Sequence, residues 1–367
     1  MGKTVQGSCG YMGKDVMRLY RKLILSVLIT GMAAIFAGCG IHTAPGREEN
    51  HAARIVNAEF PVTIENYNSE GKKVSTVYQK PPTRIIALWQ NSIETLLELG
   101  AGEQIIAATG IDDERHLTEE NRILFRQLPM TVPRTIGQEK ALAMNPDFIL
   151  GWLFDFTGKA NSVGTWDFWH QRNVPVYMTL TNMADFSEKH VIEDELKYIS
   201  DVGKIVGKNR KAEEIIGKIQ KDLQIKMEKV KDSPKRQKVL IINSLSKGLY
   251  IYTPRTLAGD IVTRLGGDVI GKEAEDVGNE EILSFESLMM EEPDVIFIQS
   301  VPERDENVLQ GVYDHPAFRQ VPAVLNKRVY TIPFYTIRCP AVRVSDAIDI
   351  FYRGLYRSEE HTSELQS

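Results

Sequence analysis

Apolar positions within residues 209–232 recur at three- and four-residue steps: Ala212, Ile215, Ile216, Ile219, Leu223, Met227 and Val230, with Lys, Glu, Gln and Asp between them. That spacing predicts one amphipathic helix of roughly 35 Å at about 1.5 Å per residue, close to the width of a small domain. Ser233 and Pro234 end it. Taken alone, the pattern fits a surface helix packed on one domain as well as a strut between two.

The flanking segments favour the strut. Before the helix, short apolar runs predict strands over 60–67 and 74–78, around the turn signal Asn68-Ser69-Glu70-Gly71, and over 84–88, 104–109, 148–152 and 174–180. Helical stretches lie between them at 92–99, closed by Gly100, and at 118–126, 140–144, 165–172 and 187–206. After Pro234 the alternation restarts, with strands over 238–242, 249–253, 295–299 and 329–332 and helices over 257–265 and 344–356. The predicted class is α/β: a lobe over 55–208, the helix over 209–232 and a second lobe over 233–356. A repeated phrase supports the division. Residues 139–150, EKALAMNPDFIL, read like residues 286–297, ESLMMEEPDVIF. In each, a glutamate opens a short helix, Pro-Asp (Pro146-Asp147 and Pro293-Asp294) breaks it, and a buried strand follows, as expected of related lobes.

The two ends of the chain follow other patterns. Arg18, Arg21 and Lys22 precede an apolar run over 23–36, then Ala37, Gly38 and Cys39, which predicts an export signal over 1–38. The run is shorter than the ~20 apolar residues of a membrane span, although an uncleaved anchor helix is the alternative. Met17 suits the start of such a signal better than Met1, so residues 1–16 read as an over-called start. Residues 39–54 are polar and aperiodic and read as a tether. The last eleven residues, RSEEHTSELQS at 357–367, look like the conceptual translation of a common sequencing adapter, which would leave the final helix truncated.

Composition narrows the function. With 367 residues, 43% of them hydrophobic, the chain is long enough for two cores. Residues 1–38 carry +4 and residues 357–367 carry −2, so of the formal −5 the body carries −7. An acidic body argues against nucleic acid as partner. Cys9, Cys39 and Cys339 are too few and too scattered for a disulfide framework or a zinc site, and Cys339 is expected as an unpaired thiol. His116, His170, His190 and His315 show no ligand spacing, so neither a resident metal nor a cofactor is expected. Residues 266–273, GGDVIGKE, match a phosphate-binding loop except at the last position, where Glu273 would repel phosphate. No nucleophile elbow is present, which leaves a binding receptor or an exported enzyme of unknown chemistry.

The order of segments resembles a known family. Phe36-Ala37-Gly38-Cys39 is similar to a lipobox, with Phe36 where Leu is commonest. After the tether come RIIALWQNSIETLLELGAGEQIIAATG, TIGQEKALAMNPDFILGW, the long helix, LAGDIVTRLGGDVI, SFESLMMEEPDVIFI and HPAF. Over residues 55–356 this resembles class III solute-binding lipoproteins, the receptors of ABC importers for siderophore-bound iron, haem and cobalamin. The resemblance implies the class III periplasmic-binding-protein fold, two lobes joined by a single long helix, in a protein that is not an enzyme. It implies lipidation at Cys39, a monomer held on the outer face of the cytoplasmic membrane, and an ABC permease with its ATPase as partners. It also implies a metal chelate as ligand and Glu139 and Glu286 as permease-docking residues. Two carboxylates on separate lobes would orient docking more than they add affinity. The plainer alternative is that each is a solvated first-turn residue favoured by its helix dipole.

In open α/β sheets ligands bind beyond the carboxyl ends of the strands. That rule points to Trp89, Gln90, Trp152, Tyr252, Tyr335 and Arg338 as ligand-binding residues. The aromatics would offer flat apolar area, and Arg338 a fixed donor fork for anionic oxygens. Any one Trp or Tyr could instead be core packing, and Arg338 or Arg343 an ion-paired or surface residue; the cluster carries the expectation.

Overall fold

The computed structural model describes residues 60–159, 162–179, 189–233, 235–277, 280–301, 307–338 and 340–356. The export signal, Cys39, the tether, Pro234, Cys339 and the terminal RSEEHTSELQS lie outside the described residues. Val62–Tyr67 (β1) and Lys73–Tyr78 (β2) pair antiparallel, with Asn68 Oδ1 accepting from the backbone of Glu70 and Lys72 in the turn. Then come Ile85–Leu88 (β3), Trp89–Glu98 (α1), Ile105–Thr109 (β4), Glu119–Phe125 (α2), Thr131–Val132 (β5) and Gln138–Ala143 (α3). Phe148–Trp152 (β6), Trp166–His170 (α4) and Val176–Thr179 (β7) complete the first lobe. Its five strands are all parallel, in the order β5-β4-β3-β6-β7. β3 and β7 are buried along their whole length, as unbroken apolar strands must be when helices cover both faces.

The second lobe repeats the plan with an added hairpin. Lys238–Ser244 (β8), Leu249–Ile251 (β9), Leu257–Arg264 (α7), Asp268–Val269 (β10), Glu275–Val277 (β11) and Glu280–Leu283 (β12) lead to Phe285–Glu291 (α8) and Val295–Ser300 (β13). Val308–Asp314 (α9), Pro322–Leu325 (α10), Val329–Pro333 (β14), Phe334–Ile337 (α11) and Val344–Tyr356 (α12) follow. β8, β13 and β14 are parallel neighbours, whereas β9, β11 and β12 form an antiparallel edge.

The repeated phrase is a repeated structure. Asp147, beyond the end of α3, accepts from the backbone N–H groups of Thr83 and Arg84 at the start of β3; Asp294 accepts from that of Lys238 at the start of β8. In return, Arg84 donates to the carbonyls of Met144 and Asn145, and Lys238 to that of Glu291. The residue before each proline, Asn145 or Glu292, takes a left-handed φ of 48° or 49°. Each Asp thus fixes one strand start, and the basic residue at that start, Arg84 or Lys238, caps the carbonyls at the helix end.

Between the sheets the chain forms two helices, Ile192–Ile205 (α5) and Asn209–Val230 (α6). α6 is the predicted long helix, ending at Val230, and buries Ala212, Ile219, Leu223 and Val230 as the stripe requires. It does not stand alone, because α5 packs against it after a tight turn. At the first lobe Gln104 Nε2 donates to the carbonyl of Val206, and Gly207 lies against Pro81. At the second lobe Ile192 N donates to Asp260 Oδ2, His190 N donates to the carbonyl of Arg255, and Lys226 pairs with Asp349 at 2.8 Å. One continuous apolar core includes Ile85 and Leu96 of the first lobe, Ile199 and Ile219 of the connector, and Ile241, Ile261 and Phe351 of the second.

The two connector helices meet at Gly203, where a Cβ would lie 2.4 Å from that of Ala212. Gly217, exposed on α6, has nothing within 4 Å of an added Cβ. Gly203→Ala is therefore expected to destabilise by about 1–3 kcal/mol through overpacking. Gly217→Ala is expected to stabilise by up to about 1 kcal/mol through helix propensity. Urea unfolding midpoints of the two variants check both signs.

Candidate functional site

β3 runs directly into α1, so Trp89 sits at the carboxyl end of the central strand with a φ of +70°, a strained value for a residue bearing a side chain. β6 ends beside it on Trp152. The two indoles stack with centroids 5.3 Å apart and planes at 23°, and Phe154 meets both edge-on. Their polar edges are already engaged: Trp89 Nε1 donates to Asp155 Oδ2 at 2.8 Å, and Trp152 Nε1 to Asn91 Oδ1 at 2.8 Å. Asp155 Oδ2 also accepts from the backbone of Trp152 at 2.8 Å. At the end of β4, Gly110 packs so closely that a Cβ would come 2.8 Å from Trp89 Cε3, and its φ of +95° suits glycine.

In the second lobe β14 passes into α11, which carries Phe334 and Tyr335, with Arg338 just beyond. A cavity of about 430 Å³ lies between these residues and the tryptophan pair, within the size range of small-molecule sites. Five of the six residues expected to bind ligand line it: Trp89, Gln90, Trp152, Tyr335 and Arg338. Tyr252 does not. β9 runs antiparallel to β8, so the residue after it returns towards the middle of the sheet. There Tyr252 N donates to the carbonyl of Ile241 and its hydroxyl to Gln299 Oε1 at 2.5 Å. The carboxyl-end rule holds for parallel strands, and the hairpin reverses the direction.

The lining also contains residues the sequence reading passed over: Asn91, His116, Phe334, residues 110–112 after β4 and residues 133–135 after β5. The same carboxyl-end rule applied to β4 would have found the first turn. β5, at two residues, left no readable signal.

The walls are joined by an ion pair. Arg343 Nη1 lies 3.0 Å from Glu94 Oε1 and 3.2 Å from Oε2, also donates to the carbonyl of His116, and places its guanidinium 4.9 Å from the Tyr335 ring centroid. Glu94 is fully buried and the Arg343 side chain 13% exposed. Gln90 Nε2 donates to both Glu94 Oε2 and the His116 carbonyl. Burial pushes the Glu94 carboxyl above its ordinary range, opposed by Arg343, Gln90, Thr118 and Asn121. Burial pulls Arg343 down, but Glu94 and Asp346 more than offset it. Nearby, Glu195 of α5 accepts from Ala341 N at 2.6 Å and meets His190 Nε2 at 3.0 Å.

Glu139 and Glu286 occupy the second position of α3 and α8, both exposed. The histidines are dispersed: His116 lines the cavity, His170 stacks on Trp166, His190 meets Glu195, and His315 stacks on Phe285.

A parallel-sheet lobe, a mixed-sheet lobe, a helical connector and an aromatic cavity between the lobes define a two-lobed α/β architecture with a cleft. Residues 85–336 match the model of the periplasmic binding protein family, and the chain belongs to that family. The chain is 23% identical over 221 residues to the uncharacterized ABC transporter substrate-binding lipoprotein YvrC of Bacillus subtilis strain 168, a match covering 60% of this chain and 63% of that one. It is 27% identical over 205 residues to an iron-uptake system-binding protein of the same strain, covering 52% and 56%. The matches thus span less than two thirds of these curated relatives. A solved periplasmic binding protein from Veillonella parvula DSM 2008 is 31% identical, with a TM-score of 0.74, over 84% of this chain and 94% of that one.

Asp155, 2% exposed, supplies a pH signature. Burial pushes its carboxyl up to about 6, against the donors Trp152 and Trp89. The unfolded chain titrates near 3.9, so the folded protein binds this proton more tightly. The stabilisation is full below about pH 4 and is lost as the pH rises through about 6, by roughly 3 kcal/mol at most. Asp155→Asn should remove that slope. The difference in urea midpoint between wild type and variant, followed from pH 4 to 7, checks it, and a flat difference would contradict the assignment.

Proposed function

We propose that this chain is an extracytoplasmic receptor that captures an iron chelate, a ferric siderophore or a related large ligand such as haem or cobalamin, for an ABC permease and its ATPase. The observation that carries the reading is the cavity lined from both lobes by Trp89, Trp152, Phe334, Tyr335 and Arg338. Aromatic area and guanidinium donors suit a bulky chelate whose outer shell is organic and oxygen-rich. Family membership supports the receptor role, and the iron-uptake relative supports the ligand class. In this reading Cys39 carries the lipid that holds the receptor outside the membrane as a monomer. Glu139 and Glu286, exposed at matched places on α3 and α8, meet basic groups of the permease.

Radioiron uptake in the source bacterium tests both parts. Deleting the gene is expected to stop uptake of the loaded chelate, and the wild-type gene to restore it. Glu139→Ala combined with Glu286→Ala is expected to restore nothing while leaving chelate affinity in vitro unchanged. Full uptake with the double variant would remove the docking assignment. Undiminished uptake in the deletion strain would remove the receptor reading.

A further inference from the structure

The cavity's polar edges are arranged so that its largest side chains offer little hydrogen bonding to a ligand. Both indole N–H groups are spent inside the protein, Trp89 on Asp155 and Trp152 on Asn91. What the pair presents to the cavity is therefore ring face and ring edge. The opposite wall is also aromatic: Phe334 and Tyr335 meet at 5.5 Å, His116 lies 5.7 Å from Tyr335, and Arg343 holds the Tyr335 ring in place. Among the described residues the charged groups in the lining are Arg134, Arg338 and Asp112, two cations to one carboxylate in a protein whose body is acidic.

We propose that this cavity selects a negatively charged ligand with flat conjugated rings, an aryl chelate or a porphyrin, over chelates that lack such rings. This names the ligand class of the receptor described above and rests on that reading. Ring faces reward a conjugated ligand through dispersion and quadrupole contacts, which a saturated hydroxamate arm cannot return. Guanidinium groups reward anionic oxygens, and a neutral trihydroxamate complex carries no net charge to answer them. The left-handed Trp89 and the shared Asp155 acceptor fix the rings before a ligand arrives, so little ordering cost remains to blur the preference.

Isothermal titration of the mature chain with four probes tests the class: a ferric tris-catecholate, haemin, a neutral ferric trihydroxamate and cyanocobalamin. At least one of the first two should bind about ten-fold or more tightly than the trihydroxamate, and whichever binds more tightly identifies the aryl or porphyrin source. Trp152→Ala should weaken that ligand by about ten-fold more than it weakens the trihydroxamate, with Trp152→Phe restoring most of the difference. Tightest binding of the trihydroxamate or cobalamin would overturn the proposal and leave the receptor reading standing. An equal loss for every probe in Trp152→Ala would overturn it too, since the ring face would not be selecting. No binding of any of the four would overturn both.

Discussion

The contact on which the rest of the site depends is the pair formed by Glu94 and Arg343, 249 residues apart in sequence. Glu94 lies on the helix that begins with Trp89, and Arg343 follows the segment that carries Tyr335 and Arg338. Glu94 is fully buried, so it needs Arg343: removing the cation from such a pair typically costs about 3–5 kcal/mol because an uncompensated charge remains, whereas Arg343 also has Asp346 at 2.6 Å. The pair is also tied sideways, through Gln90 and the His116 carbonyl to the first wall and over the Tyr335 ring to the second. A polar contact of this kind confers little net stability against an apolar substitute, but its geometry fixes how the two walls face each other.

The apolar core works in the same direction. One cluster runs without a break from β3 and α1 through α5 and α6 to β8, α7 and α12, while the far face of each sheet has a cluster of its own, so the lobes are joined by packed side chains and not by a flexible strand. Interiors packed at crystal density resist gradual deformation. The connector adds the close approach of α5 to α6 at Gly203 and the matched hydrogen bonds at its two ends. A cavity held this way is formed before the ligand arrives, which reduces the ordering cost of binding and leaves selection to the lining.

Much of this was legible in the sequence because periodicity reports burial. The long helix, the buried strands and the paired Pro-Asp phrase all follow from local pattern, and the structure gives the phrase its reason in the hydrogen bonds of Asp147 and Asp294 to the strand starts. The carboxyl-end rule brings Trp89, Gln90, Trp152, Tyr335 and Arg338 to the cavity lining. The rule leaves Tyr252 off that lining because nothing in a short apolar run reveals which way the strand will point. It also could not reach Asp155 or Asn91, whose task is to hold the indole edges, nor the Glu94–Arg343 pair. Contacts between residues far apart in sequence leave no periodic trace, and a buried Glu reads locally like a solvated one.

If the lobes and the cavity between them are set before ligand binding, small-angle scattering of the protein, free and saturated with its ligand, gives the same radius of gyration in both states within error. A clear compaction on binding, of the size that hinge closure of two lobes produces, would contradict that preset arrangement.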